Sequence, residues 1–506
     1  MLKRMEVVAF AAAMAFCGAT VARASSSATA GSQNSTSVSG PRMLTMDAGS
    51  GTGTGTDSGT YSGTGTDTGT GTGTGPAYNG TGTNLAPTAA AVAAPTYTPL
   101  MQGLSHIPMG SSNLADQMTK LGLTLTGYVE GGYTANLDHH SSTTARSGPY
   151  TYHTPINAGR SFTQQARNNF LLNQADINLS RAIDFTSKAF RRRGWDVGGT
   201  IEWNYGTDAA LFHSSGLNFY HSGSYPATDP SHPYNQFDLL QAYVDIAFPL
   251  GNTSALRFRL GKFVTLLGYE TINPTTNPFY SHTYLFSYAI PFTNTGALAN
   301  LYLNDKWQFW AGVVRGWNQT FKQNNTAESY MGSIQYTPNS QTSVSLNFIT
   351  GPINPNDNAH WTTVLDLVAS VTPDMFDKKM TFGFNGDYGY NGAGAGYTGP
   401  TGVQGISSHW YGTALYASYI VNRFATLNAR GEWYYDGRSN FVGTGPRTDY
   451  YDVTLGVNIT PMPNSTMGKY LHIRPEIRWD YATKKAFING TNFSQWTAGA
   501  DIYYTF

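Results

Sequence analysis

The sequence predicts an all-β fold, a transmembrane antiparallel β-barrel of about sixteen strands, on three observations. The first is composition: of 506 residues only 12% are charged, 30 Lys+Arg against 30 Asp+Glu, while 14% are aromatic. That charge content is about half the usual share. The second is an alternation of apolar and polar residues with period two, from about Leu123 to the terminal Phe506. The third is that the connections between alternating segments sort by length, long then short. A barrel wall asks for all three, because each strand shows lipid only every second side chain.

The same numbers exclude other classes. A mean hydropathy of −0.31 does not suit a bundle of apolar helices. A flat charge balance lacks the basic face with which proteins displace counterions from nucleic acid, so no nucleic-acid partner is expected.

Taken in order, the chain opens with a targeting signal. Lys3 and Arg4 precede an apolar run from Val7 to Phe16, and Ala22-Arg23-Ala24 offers small residues for cleavage. The apolar core of about ten residues is too short for a spanning helix, which needs about twenty. Residues 1–24 therefore read as a signal peptide. Cys17 is the only cysteine and lies inside it, so the processed chain would carry no disulfide and no thiolate metal site.

Residues 25–100 form a low-complexity arm. Gly51 to Gly75 is nearly a Gly-Thr repeat, with too little apolar surface to offset the entropy of ordering, and predicts a flexible tether. Residues 101–122 form a short linker. Within it Asn113–Leu121 suits one marginal helix, with Leu114, Met118 and Leu121 on a shared face.

The barrel is expected over 123–506. In its first segment Leu123, Leu125, Val129, Tyr133 and Leu137 share one phase, and Thr124, Thr126, Tyr128, Glu130 and Asn136 the other. Sixteen such segments start near residues 123, 170, 195, 237, 256, 295, 307, 330, 342, 360, 379, 408, 424, 450, 471 and 495. The first three odd-to-even connections are long, roughly 139–169, 206–236 and 265–294. Asn304-Asp305-Lys306, Pro338-Asn339-Ser340-Gln341 and Val421-Asn422-Arg423 are tight turns on the other side. Long external loops and short periplasmic turns are the outer-membrane arrangement.

A soluble β-sandwich also alternates, but it does not sort its loops by parity. The last segment decides between them. Trp496, Ala498, Ala500, Ile502, Tyr504 and Phe506 alternate to a terminal aromatic residue, as in the C-terminal signal of bacterial outer-membrane proteins. The expected partners are therefore outer-membrane lipid and, through Phe506, the barrel-assembly machinery. Trp496 and the Tyr504/Phe506 pair are expected in the two aromatic girdles.

The inward phase collects charge. Glu130, Asp176, Asp196, Glu202 and Asp245 fall on the first four strands, Arg257 and Arg259 on the fifth. Arg430, Glu432, Arg474, Glu476, Arg478 and Asp480 interleave on strands thirteen and fifteen. These groups either set a transverse field in a pore or fill wall space as satisfied ion pairs. Lys262 and Arg315 fall on the lipid phase at external strand ends, where a rim position or a bulge would accommodate them.

The third long connection is the most specific segment. It contains Gly261-Lys262-Phe263-Val264-Thr265-Leu266-Leu267-Gly268-Tyr269-Glu270, then Asn277-Pro278-Phe279-Tyr280-Ser281, then Pro291-Phe292-Thr293-Asn294-Thr295-Gly296. A loop so apolar is expected to fold into the bore and narrow it, since sixteen strands otherwise enclose a wide channel. Its acid, Glu270, either faces a permeating solute or bonds nearby backbone.

These three stretches resemble the OmpL-like β-barrel porin family, the likeness spanning roughly 123–506 and excluding the arm. It implies an outer-membrane channel for passive diffusion of small polar solutes or ions, without a cofactor. Asn294 stands where many relatives are expected to carry His, which leaves any shared role of that position in doubt.

Other functions fit less well. A lipid-facing hydrolase needs Ser and His on one face, but Ser408 and His409 are adjacent and point opposite ways. No enzyme activity is expected. Asp138-His139-His140 lies in a polar external loop, where solvated residues are the norm, and no metal site is assigned. Trp195, Trp203, Trp307, Trp433 and Trp479 read as girdle or lipid-facing residues. Trp310 falls on the inward phase, where it, Tyr128 or Tyr243 could stack on a sugar. A solute-specific sugar or peptide channel and a surface adhesin, the latter suggested by Tyr-rich loops over 153–160 and 211–234, are the alternatives. A homotrimer is the default by analogy with sixteen-stranded porins.

Overall fold

The computed structural model describes residues 99–138, 145–147, 150–152, 170–217, 235–354, 356–392, 407–437, 447–488 and 490–506. The expected signal peptide, the arm up to residue 98, His139, His140 and most of the first two external loops lie outside these residues.

Sixteen strands close into one antiparallel barrel. Numbered in chain order, they are β1 Leu123–Asn136, β2 Phe170–Arg181, β3 Asp196–Gly206, β4 Gln236–Leu250, β5 Ser254–Val264 and β6 Thr293–Asn304. There follow β7 Trp307–Val314, β8 Ser329–Asn339, β9 Thr342–Gly351, β10 Thr362–Val371 and β11 Met380–Asn391. The last five are β12 Ser408–Asn422, β13 Ala425–Asp436, β14 Thr448–Ile459, β15 Leu471–Ala482 and β16 Ser494–Thr505. Each strand pairs with its sequence neighbour, and β16 pairs with β1 to close the ring. Every expected segment is present and starts within two residues of its expected position.

The alternation fixes which face meets lipid. Val129, Ile201, Leu260, Leu365, Leu455 and Ile477 are exposed outward. Their strand neighbours Glu130, Thr200, Arg259, Asp366, Thr454 and Glu476 are buried inward. Because backbone groups in lipid must all be bonded internally, a closed ladder is the way strands can cross. Among the described residues no helix is long and apolar enough to span.

Two short helices precede the barrel, α1 Pro99–Leu104 and α2 Leu114–Lys120. Asn113 caps α2, its side chain accepting from the Asp116 N–H at 2.8 Å. The buried residue of α2 is Ala115, whereas Leu121, expected on the packed face, is 64% exposed. A helix of two turns is too short for its apolar spacing to dictate which side is covered.

Two charged residues, Lys262 and Asp196, stand elsewhere than their phase suggests. The β3–β4 register shifts between Glu202 and Trp203, and Gly261 in β5 has φ +135°. The break in alternation carries Lys262 inside, where its Nζ meets Asp238 at 2.9 Å and donates to the Leu239 carbonyl at 2.6 Å. Lys262 is thus a buried lumenal cation and not a rim residue. Asp196, read as lumenal, instead stands at the first residue of β3 and bridges Arg181 and Arg193 at the turn end of the barrel. Arg315 does sit at the external rim, bonded to Gln323.

Candidate functional site

The residues between β5 and β6 run inside the barrel, and the reason lies in their composition. Leu266, Leu267, Tyr269, Ile272, Phe279, Tyr280, Leu285, Phe286, Ile290 and Phe292 are all buried. On the roughly 25 cal/mol per Å² scale, each such side chain gains about 1.5–3 kcal/mol by leaving water. The apolar ones pack on inward residues of the β6–β10 wall, Leu298, Val314, Met331, Ile349 and Val364.

Wall glycines make room for the aromatic rings. A Cβ at Gly132 would sit 2.4 Å from the Tyr280 ring, and one at Gly383 would sit 2.5 Å from that of Tyr269. Phe279 lies 3.2 Å from the corresponding point at Gly456. The glycines of these strands are sockets on the inward face.

The backbone of the segment still has polar groups that must be bonded once buried. The wall supplies partners residue by residue. Glu432 accepts the N–H groups of Tyr284 (2.8 Å) and Leu285 (2.7 Å), and Glu476 those of Tyr280 (3.0 Å) and Ser281 (3.1 Å). Arg474 donates to the carbonyls of Pro274 and Asn277, both at 2.7 Å. Arg430 and Arg478 donate to those of Ser281 and His282, both at 2.6 Å. Carboxylates meet amides and guanidinium groups meet carbonyls, the strong charge-assisted pairings.

Each of these arginines is also paired on the wall. Arg430 meets Asp452 at 2.6 Å, Arg478 meets Asp480 at 2.7 Å, and Arg474 meets Asp501 together with Glu130 at 3.3 Å. Glu270 is enclosed. It accepts from Arg430 (3.1 Å), Tyr416 (3.0 Å) and the Thr283 N–H (3.0 Å), and lies 2.9 Å from His282 Nδ1. Burial by itself would raise this loop carboxyl; Arg430 and His282 outweigh it and hold it down to about 2. Of the two readings for Glu270, the bonded one describes its geometry.

The other sequence-singled residues fall in two groups on the β1–β7 wall. Asp245 takes Arg259 through two contacts of 2.9 Å and Arg257 at 3.5 Å. Arg257 lies 4.4 Å over the Trp310 ring, and Arg259 lies 3.8 Å over that of Tyr243. Asp176 accepts from Asn204 at 3.3 Å, Glu202 accepts from Gln241, and the Tyr128 hydroxyl donates to Gln174 at 2.7 Å. Trp310, Tyr128 and Tyr243 are thus all inward and engaged. A cavity of about 200 Å³ opens at the turn end, between Tyr128, Asp176, Glu202, Asn273, Thr275 and Pro99 of α1.

Several residues of the bore escaped the sequence reading. Trp410 is fully buried and donates to the Ala289 carbonyl at 3.2 Å. Asp366 and Asn385 accept the Gly268 and Tyr269 N–H groups at 3.1 and 3.2 Å. Trp410 shares the phase of Ala414 and Tyr416, a signal that was available. Nothing in the sequence pairs Asp366 with Gly268, 98 residues away. Trp317 packs edge-on to Trp410 against the same core, whereas Trp195 is 51% exposed and Trp479 lies beside Trp496, their rings tilted. Ser408 is buried and His409 exposed, on opposite faces as expected. Asn294 is buried and donates to the Gly316 carbonyl at 3.0 Å.

Residues 122–506 match the profile of the family described as "Putative beta-barrel porin-2, OmpL-like". The chain belongs to this porin family. The porin is accordingly an integral β-barrel of the bacterial outer membrane. A comparison with curated proteins finds no match by sequence. Similar solved structures include the outer-membrane channel DcaP of Acinetobacter baumannii, at 11% identity and TM-score 0.45, covering 76% of this chain and 97% of that one. An anion-selective porin from Comamonas acidovorans matches at 10% identity and TM-score 0.45, covering 76% and 99%. OprB of Pseudomonas putida matches at 10% and 0.45, covering 78% and 96%. Likenesses at that level carry no functional argument, and the assignment rests on the family match.

Proposed function

We propose that this porin passes small polar solutes or ions by passive diffusion through a bore narrowed by residues 265–292. The observation that carries the reading is the row of charge-assisted bonds from Arg430, Glu432, Arg474, Glu476 and Arg478 to the backbone of that segment. A loop held at so many points keeps its place while solute moves past it. The cavity at the turn end, with Asp176 and Glu202 in its lining, supplies a polar exit route. No cofactor and no reaction are part of the reading. Solute moves down its own gradient, and the wall contributes shape and field. The assembly proposed is a homotrimer, which sedimentation of the detergent-folded protein checks.

Single-channel recording of the purified, folded chain in a planar bilayer tests transport. Discrete ohmic steps are expected, smaller than those of an unobstructed sixteen-stranded barrel. Glu476→Ala, which strips the acceptor from two buried amides, should loosen the segment and raise step size or noise. Silence from well-folded protein would overturn the reading and leave surface display without transport. Saturable block by one sugar or peptide would replace general diffusion with a solute-specific channel.

A further inference from the structure

We propose that α1 is a lid over the turn-end mouth of the bore, closed in this structure and released when Met101 undocks. The cavity of about 200 Å³ at that end lies between Thr126 and Tyr128 of β1, Asn273 and Thr275 of the in-folded segment, and Pro99. Pro99 is the first residue of α1, and α1 packs on β1. A solute that has passed the in-folded segment therefore meets α1 before it leaves the barrel.

The sequence of α1 makes its hold weak. The helix has six residues and buries two of them, Pro99 and Met101. A helix that short does not sustain itself in water, because nucleation costs more than one turn returns. Pro99 suits the first helical position, where its missing N–H would have no partner. Gly103 works against the helix. It is exposed, and a Cβ there would meet nothing within 4 Å, so no close contact requires a glycine. Docking of α1 thus depends chiefly on Met101, which is 3% exposed.

The linker behind α1 has a fixed root and an uncovered span. At the root, Arg181 Nε donates to the Leu121 carbonyl at 3.0 Å, two residues before β1 begins. Between α1 and α2, residues 106–110 are all exposed, Ile107 and Met109 included. Elements with few buried apolar contacts open at the lowest cost, and lids are drawn from them. The in-folded segment is the opposite case. Glu432, Glu476, Arg430 and Arg474 tie its backbone to the wall, so it does not serve as the moving part.

Docked, α1 closes the cavity on its outer side. Released, it joins the cavity to the water beyond the turn end. The effect on solute flow rests on the porin reading, whereas the docking and release of α1 do not, and the two are measured separately.

Cys17 lies in the expected signal peptide, so one cysteine introduced into the processed chain reports alone. Thr126→Cys places it in the cavity wall, and its rate of labelling by a maleimide is measured on the folded protein in detergent. Adding Met101→Asp, which puts a charge at the docked position, should speed labelling at least about tenfold, the worth of one buried Met side chain. Adding Gly103→Ala, which favours the helix, should slow it about fourfold. Opposite signs separate lid motion from general loosening of the barrel, and Gly103→Ala decides alone if Met101→Asp fails to fold. In a planar bilayer, Met101→Asp should raise the open fraction or the step size above wild type. Equal labelling rates in all three proteins would overturn the lid. Faster labelling of Met101→Asp with unchanged steps would overturn its gating. Faster labelling with no steps from either protein would support the lid and sink the porin reading instead.

Discussion

The β13–β16 wall and the β8–β11 wall are built by the same alternation, yet they treat the segment inside the barrel differently. On β13–β16 every lumenal arginine has an acid beside it and a backbone carbonyl in front of it. On β8–β11 the contact is made by Met331, Ile349 and Val364, by two acceptors, Asp366 and Asn385, and beside them stand polar atoms without partners. The first wall fixes the segment by directed bonds, the second by apolar contact. Directed bonds set a position; apolar contact sets only an area. The loop's path across the bore is therefore dictated from the arginine side.

Breaking the arginine side should have the largest effect. Arg474→Ala strands Asp501 and Glu130 without their cation and leaves two loop carbonyls unbonded. A loss of about 3–5 kcal/mol is expected, read as a lower denaturant midpoint of the folded barrel. An unchanged midpoint would mean that the wall ion pairs do not hold this side together.

Next comes the centre of the contact. Glu270→Gln is expected to cost about 3 kcal/mol at neutral pH, and the pH dependence gives its sign. The folded carboxyl is held at about 2, below its ordinary value of 4.5, so its contribution is present above 4.5 and lost as pH falls toward 2. The stability gap between wild type and Glu270→Gln should thus stay level from pH 7 to 5 and close between about 4.5 and 2. A gap independent of pH would show that charge is not what Glu270 contributes.

Gly132→Ala sharpens the comparison through shape. Its methyl group would meet the Tyr280 ring at 2.4 Å, so ring or strand must move, at about 1–3 kcal/mol for an overpacked site. Pairing it with Tyr280→Ala should recover part of that loss if the socket reading is right.

The smallest effect belongs to the other wall. Ser329 is buried with an unpartnered hydroxyl, so Ser329→Ala should be neutral or stabilising by up to about 1 kcal/mol. A clear loss would mean the hydroxyl is bonded in the folded protein.

Much of the fold was legible because its signals are local. Period-two alternation runs along one strand, so all sixteen segments, including Thr448–Ile459 and Ser494–Thr505, could be placed from neighbours alone. The apolar run from Leu266 to Phe292 declared by itself that it would not remain in water. Lys262 was misplaced because the alternation breaks beside Gly261, whose φ is +135°, and strict counting carries the phase straight through it. Trp410 was overlooked although its phase was correct.

What the sequence by itself determined is the wall: which residues are strand, which side chains face lipid, and that the third connection is too apolar for solvent. Only the tertiary structure decided who meets whom inside. Arg474 reaching Pro274, Glu476 reaching Tyr280 and Asp366 standing opposite Asp387 depend on barrel circumference, register and the path of a loop. Alternation says that a side chain points inward, but the partner it finds there is set by closure of the ring, which no single strand encodes.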